Sequence, residues 1–320
     1  MLLYYLWPAA EKMLGYLPFG ESLYETVGSL HHRSSRGKSD SFASGFPLAR
    51  KARELVSPGG VVMDVGTGWF HLNAFLLWLI GDYKVYLFDV ADKGRLPFIR
   101  NYLQHLYGNI DLLVQELGID RDVSLRKLAE LMRMETREEI YEACNFALCI
   151  TKNTDTPFLP ENSVDFMVST CVLNHIPPDT LLPELVALRR ILKPNGRMFH
   201  QLGHQDHWTY HDRSANQFNY YRYSDRWYST IFDTKFEFHN RFVKQEWLAL
   251  FRESALEVEE YDADITDQSR EQIAKLPHID SRFAKYPRDD LAIIATYVLL
   301  RRKDQRKAHS VSSGPIKESA

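Results

Sequence analysis

Chemistry in this chain is concentrated in a glycine corner with two carboxylates and in a later run of histidines. Asp64, Thr67 and the two glycines Gly66 and Gly68 stand in Val61 to His71 (VVMDVGTGWFH), and Asp89 follows about twenty residues later, at the end of KVYLFDV. Glycines that break an apolar run just before a helix leave backbone N–H groups facing outward, which makes an anion- and nucleotide-binding corner. An acidic residue at that remove is placed to accept hydrogen bonds from ribose hydroxyls; its alternative use is to cap the next helix. The histidines His204, His207 and His211 follow the fifth apolar run, and for a hydroxyl acceptor they are the candidate bases, because imidazole titrates near neutral pH. His207 ranks first, since the adjacent Asp206 would raise its basicity. His200, His204, His207 and His211 also fall at helical spacing, but His200 belongs to a strand pattern, so no metal site is expected.

These residues need a scaffold, and the apolar patterning supplies one. Val61 to Val65 reads as a strand buried on both faces, and Leu72 to Ile80 (LNAFLLWLI) as a helix against a sheet, too short to span a bilayer. Further strands are expected at 84–90, 146–150, 164–170, 197–201, 256–261 and 291–300. Between them, one helix is expected over 103–117 with Gly118 as its stop, another from Ser124, and a third from Thr136, where Glu139 completes a capping box. Asp179 is expected to cap a helix that Lys193-Pro194-Asn195-Gly196 ends. Strands alternating with helices predict an α/β chain with a doubly wound, mainly parallel sheet. On this reading residues 1–56 form an N-terminal helical cap and loop. Residues 57–302 are the main domain, with a helical insertion at 95–143 and a substrate-facing segment at 203–242, and 303–320 is a disordered tail.

Composition narrows the partners. A hydrophobic fraction of 45%, a charged fraction of 25% and a formal net charge of -3 give no basic groove, so no nucleic-acid partner is expected. Three cysteines without a C-x-x-C pair argue against a disulfide framework and a cysteine-rich zinc site, and fit a reducing cytoplasm. The N-terminal MLLYYLWPAAEKMLGYLPFG lacks the basic region of a signal peptide. It reads as a helix folded over the domain, with a peripheral membrane or partner-binding helix as the alternative, and no transmembrane segment is expected.

Two cofactor classes compete for the corner. A nicotinamide dinucleotide needs G-x-G-x-x-G, and counting from Gly66 the third glycine position holds the bulky His71. Asp64 to Gly68 instead resembles the acidic-x-Gly-x-Gly motif of class I S-adenosylmethionine-dependent methyltransferases, with Phe70 at the last glycine position. Asp155 to Pro160 (DTPFLP), Asn162 to Phe166 (NSVDF), Val172 to Ile176 (VLNHI) and Leu192 to Gly196 (LKPNG) are similar, in order, to the later motifs of that family, type 11 in particular. The resemblance covers roughly Val61 to Gln201. It implies a seven-stranded Rossmann-like sheet with an antiparallel last strand, and S-adenosylmethionine as cofactor. It also implies cofactor contacts from Asp64, Gly66, Thr67, Gly68, Asp89, Thr170 and His175, with Asp155 and Thr156 at the adenine edge. The implied activity is in-line methyl transfer to a small-molecule or glycan acceptor. Trp208, Tyr210, Tyr220, Tyr221, Tyr223 and Trp227 suit a sugar by stacking, and suit a packed lid equally well. The alternative is a non-catalytic cofactor-binding or scaffold protein on the same fold, which Phe70 and Asn174, standing where the family commonly has glycine and glutamate, would favour.

Overall fold

The computed structural model describes residues 2–20, 22–24, 26, 43–151 and 159–303. Asp155 and Thr156, most of the polar stretch at 31–45 and the tail from 304 onward lie outside the described residues.

Short runs of β-branched and aromatic residues become strands where both faces can be covered. β1 (Val61–Val65), β2 (Lys84–Asp89), β3 (Phe146–Ile150), β4 (Val164–Thr170), β5 (Leu192–Gly203), β6 (Leu256–Ile265) and β7 (Ile293–Arg302) form one seven-stranded sheet, in the order β3-β2-β1-β4-β5-β7-β6. β1 pairs in parallel with β2 and β4, β2 with β3, and β4 with β5, whereas β7 runs antiparallel to both β5 and β6. The mostly parallel sheet with an antiparallel last strand is therefore as expected. β5 begins earlier than read from sequence, because Lys193 to Gly196 is absorbed as an irregularity in the pairing with β4. β7 begins later than expected, because a short helix, Arg288–Leu291, occupies the residues before it.

Helices cover both faces. α1 (Leu2–Gly15) and α2 (Phe46–Leu55) precede β1, and α3 (Leu72–Ile80) follows it, burying Ala74, Phe75, Leu76 and Leu77 completely or nearly so. The insertion is four helices: α4 (Leu96–Gly108), α5 (Ile110–Leu117), α6 (Arg121–Arg133) and α7 (Arg137–Ala143). The single helix expected over 103–117 is broken at Asn109, whose side-chain amide donates to the His105 carbonyl at 2.8 Å. α6 starts three residues before Ser124, because Asp120 caps it by accepting from the Val123 N–H. Thr136 and Glu139 do form the capping box. α8 (Pro178–Ile191) has Pro177 at its cap position, so Asp179 sits in the first turn instead of capping.

The segment after β5 builds a second, aromatic core. Tyr4 of α1, Trp208, Phe218, Tyr220, Tyr221, Tyr228 and Phe232 are all nearly or fully buried in one cluster with Phe283. Arg241 pins it from within: its guanidinium donates to the carbonyls of Tyr220 (2.9 Å) and Tyr223 (2.6 Å) and lies 4.2 Å over the Tyr228 ring. Of the six aromatics singled out in the sequence, Trp208, Tyr220 and Tyr221 are packing, while Tyr210 and Trp227 stay 66% and 64% exposed. α1 lies over this layer with Tyr4 inward and Leu2, Leu3, Leu6 and Met13 outward. Among the described residues no helix is long and apolar enough to cross a membrane.

Candidate active site

The corner after β1 is built on backbone conformations that glycine tolerates best. Gly66 has φ +70° and Gly68 φ +63°, and a Cβ on Gly66 would lie 2.4 Å from a methyl of Val172. The Gly66 and Thr67 N–H groups donate to the Phe88 carbonyl at the end of β2, at 2.8 and 3.1 Å. The Gly68 N–H donates to Asp89 Oδ2 at 2.9 Å, while Asp89 Oδ1 accepts from Val90 and Ala91. Asp89 is therefore not a helix cap, since α4 starts after Arg95. It ties the two turns together; Oδ1 is taken by two backbone N–H groups, and Oδ2, with one, keeps a lone pair for a ligand hydroxyl.

Phe70 turns away from the corner and packs on Phe98 and Tyr102 of α4, with ring centroids 5.9 and 6.4 Å apart. His71, at φ 53°, caps α3 from the left-handed region and bridges Thr67 Oγ1 (2.9 Å) to the Tyr141 hydroxyl (2.6 Å). That chain of bonds fastens the turn to the insertion. Burial pushes the His71 imidazole down to about 4, so it serves as a neutral linker.

A cavity of about 620 Å³ opens beside this corner, lined by Gly66, Gly68, Phe88, Asp89, Cys171 and His175, with Lys93, Asp179 and Glu184 among its other residues. Its position at the carboxyl ends of β1, β2 and β4 is where open α/β sheets bind ligands. Cys171 sits at φ 53°, and burial raises its thiol to about 11, so it is a wall and not a nucleophile.

Several expected site residues lie elsewhere. Asp64 is fully buried in β1 and does not line the cavity; its Oδ1 accepts from Asn73 Nδ2 at 2.9 Å, and Asn73 Oδ1 in turn accepts from Thr170 at 3.0 Å. Asp64 and Thr170 thus brace β1, α3 and β4 from below, and burial lifts the Asp64 carboxyl to about 6. Thr67 is engaged with His71, as above. His204 does not line the cavity either: it is 2% exposed, bonds Thr296 at 3.0 Å, and its carbonyl accepts from Tyr220. His211 lies at the surface, stacked 4.4 Å from Trp7.

His207 is half-retained, with a different partner. Its neighbour Asp206 points the other way, accepting from the Tyr4 hydroxyl at 2.5 Å and the Trp208 N–H at 3.1 Å, and burial raises its carboxyl to about 7. The carboxylate that faces His207 is Glu237, whose Oε1 is 3.4 Å from His207 Nδ1 and 3.3 Å from His175 Nδ1. The two imidazoles hold the Glu237 carboxyl down to about 2, while burial lowers His207. His239 completes the group, its ring 4.4 Å from that of His207 and 5.8 Å from that of His175. Asn240 fixes the turn that presents His175, donating to the Leu173 carbonyl at 2.8 Å.

Sequence reasoning missed Asn73, Glu237 and His239. A lone amide in the otherwise apolar LNAFLLWLI was the available signal for Asn73. In Phe236 to Asn240, the alternation of an extended segment places Glu237 and His239 on one side, which was the signal for that pair.

Residues 102–200 match a family model described as a methyltransferase domain. That match spans less than a third of the chain; the sheet order and the glycine corner are those that the resemblance to the class I S-adenosylmethionine-dependent methyltransferase fold implies. Similar solved structures include a 1,6-didemethyltoxoflavin N1-methyltransferase from Burkholderia thailandensis, at 13% identity over 89% of each chain with a TM-score of 0.46. A TehB-like methyltransferase from Corynebacterium glutamicum is 12% identical over 88% of this chain and 100% of that one, with a TM-score of 0.43. A geranyl diphosphate C-methyltransferase from Streptomyces coelicolor is 11% identical over 80% of each chain, with a TM-score of 0.44. No curated protein matches.

Proposed function

We propose that the chain moves the methyl group of S-adenosylmethionine to a hydroxyl of a small-molecule or glycan acceptor, with the cofactor against Gly66, Gly68 and Asp89 and the acceptor on the His175 side. The observation that carries this reading is one cavity that has the glycine corner on one wall and His175, the edge of the His175–Glu237–His207 group, on another. Asp155 and Thr156 are proposed to meet the adenine edge.

The chemistry needs little more. The acceptor oxygen attacks the sulfonium methyl, the new O–C bond forms as the C–S bond breaks, and sulfur keeps the electron pair and leaves uncharged. The acceptor's proton passes to the imidazole and carboxylate group and then to water. Holding donor and acceptor in line can supply about 7–11 kcal/mol, whereas a positioned base adds about 10²- to 10⁴-fold. Positioning therefore dominates; desolvation lowers the His207 imidazole, which keeps it in the proton-free form that a base needs while weakening it as a base.

A screen of cell extracts with methyl-labelled S-adenosylmethionine tests the acceptor side, with the labelled product identified by mass. Transfer to oxygen of a small molecule or glycan is expected. Cofactor binding with no labelled product in any extract would favour the non-catalytic alternative, and label on nucleic acid or protein would overturn the acceptor class.

A further inference from the structure

Glu237 Oε1, His175 Nδ1 and His207 Nδ1 come from three separate stretches of chain, and His175, His207 and Glu237 offer ligand atoms that all lie within 4.8 Å of one another. All three side chains are half-buried and within reach of solvent. We propose that this group is a mononuclear site for a divalent first-row transition ion, set beside the methyl-transfer cavity, with His239 as a further ligand.

Distance separates this from an ordinary ion pair. Charge-assisted N–H···O bonds run about 2.7–2.9 Å, shorter than either contact to Glu237. Ligand atoms about 2.0–2.1 Å from a tetrahedral ion lie about 3.3 Å from one another. The observed separations of 3.3 and 3.4 Å match that edge length.

His239 is the second, independent observation. It is 4% exposed, and neither of its ring nitrogens has a hydrogen-bond partner. A neutral imidazole carries one N–H and one lone pair, and burying both without partners is unfavourable unless an ion takes the lone pair. Its ring packs against both other imidazoles of the group.

The donor set selects the ion. Imidazole with carboxylate suits zinc, iron, cobalt or nickel, and a set without thiolate does not favour copper(I). The Phe238 carbonyl, 3.0 Å from His175 Nδ1, accepts that N–H when no ion is present and supplies an oxygen at the same corner. Through His175 the ion would face the cavity, where it can hold an acceptor oxygen and favour its deprotonated form, the proton leaving to water. That use rests on the methyl-transfer reading; the binding of the ion does not.

Metal binding by the purified full-length chain tests the proposal. After chelator treatment, titration with Co²⁺ should give one equivalent per chain with visible d–d absorption, and Zn²⁺ should displace the colour. His207→Ala and Glu237→Gln should each lose stoichiometric binding, whereas His211→Ala, at the surface beside Trp7, should keep it. Calorimetry with S-adenosylhomocysteine on the same variants reports whether each is folded, and should be little changed; should either variant fail that check, His207→Gln takes its place. A wild-type chain that binds neither Co²⁺ nor Zn²⁺ stoichiometrically, or ligand variants that bind like wild type, would overturn the site. A chain that binds Co²⁺ but not S-adenosylhomocysteine would overturn the methyl-transfer reading and leave the metal site standing.

Discussion

The glycine corner and the aromatic layer after β5 are assembled by opposite means. Val61 to His71 makes its shape locally, from three residues at positive φ and backbone bonds to the adjacent β2, with Asp89 closing the turn. The layer from 203 to 242 has little regular structure and is held by long-range side-chain bonds: Tyr4 to Asp206, Arg241 to two carbonyls, and Asn240 to the turn before His175. A locally encoded site tolerates change elsewhere in the chain. A site assembled from distant segments transmits it.

Gly66→Ala should be the largest single disruption of the corner. The left-handed φ and the 2.4 Å approach to Val172 both oppose a methyl group, at roughly 2–5 kcal/mol together. S-adenosylhomocysteine binding should be lost by calorimetry, with a lowered melting temperature. Wild-type affinity in this variant would show that the corner is not the cofactor site.

Arg241→Ala sharpens the other half of the comparison. It removes the guanidinium donors to the Tyr220 and Tyr223 carbonyls and the cation over the Tyr228 ring, and should lower stability by about 2–4 kcal/mol in denaturant titration. Cofactor affinity should stay within a few-fold of wild type, and acceptor turnover should fall. Equal loss of both would mean that the layer and the corner are one unit.

Asp89→Asn removes the charge without removing the bulk. If the carboxylate accepts from ribose hydroxyls, affinity for S-adenosylhomocysteine should drop by roughly 1.5–3 kcal/mol. Unchanged affinity would reduce Asp89 to a brace for Gly68 and Val90.

The smallest effect is in pH. His71, His200 and His204 are each pushed down to about 4 by burial, so below the ordinary histidine pKa the unfolded chain binds protons that the folded chain refuses. Asp64, raised to about 6, and Asp206, raised to about 7, act in the opposite sense, because the folded chain holds their protons as pH falls. His207, His239 and Glu237 are also lowered and act with the three histidines, so the groups that disfavour folding in acid outnumber the two carboxyls, and stability should fall as pH drops below the ordinary histidine range, by roughly 1 kcal/mol per pH unit or more, and level off above about pH 7. Urea midpoints measured across that range check the sign, and a midpoint that rises on acidification would contradict it.

The contrast also explains what the sequence disclosed. β1, β2 and β4 were readable because strands buried on both faces need continuous apolar runs, and the corner was readable because glycine spacing and turn geometry are both local. The histidine and Glu237 group was not. Asp206 is next to His207 in sequence, yet consecutive side chains there diverge, one toward Tyr4 and one toward Glu237. Glu237 lies 30 residues from His207, and the neighbouring Phe238 lies 63 from His175, separations that no periodicity spans. Phe70 shows the same principle in reverse: it departs from the glycine pattern, but α4, which the insertion supplies, gives its ring a place outside the corner.

Calorimetric titration of the purified chain with S-adenosylhomocysteine, alongside Gly66→Ala, tests the central claim most directly. One equivalent should bind to the wild-type chain and none measurably to the variant. A wild-type chain that shows no heat of binding at millimolar ligand, or a variant that binds as wild type does, would contradict the placement of the cofactor at this corner.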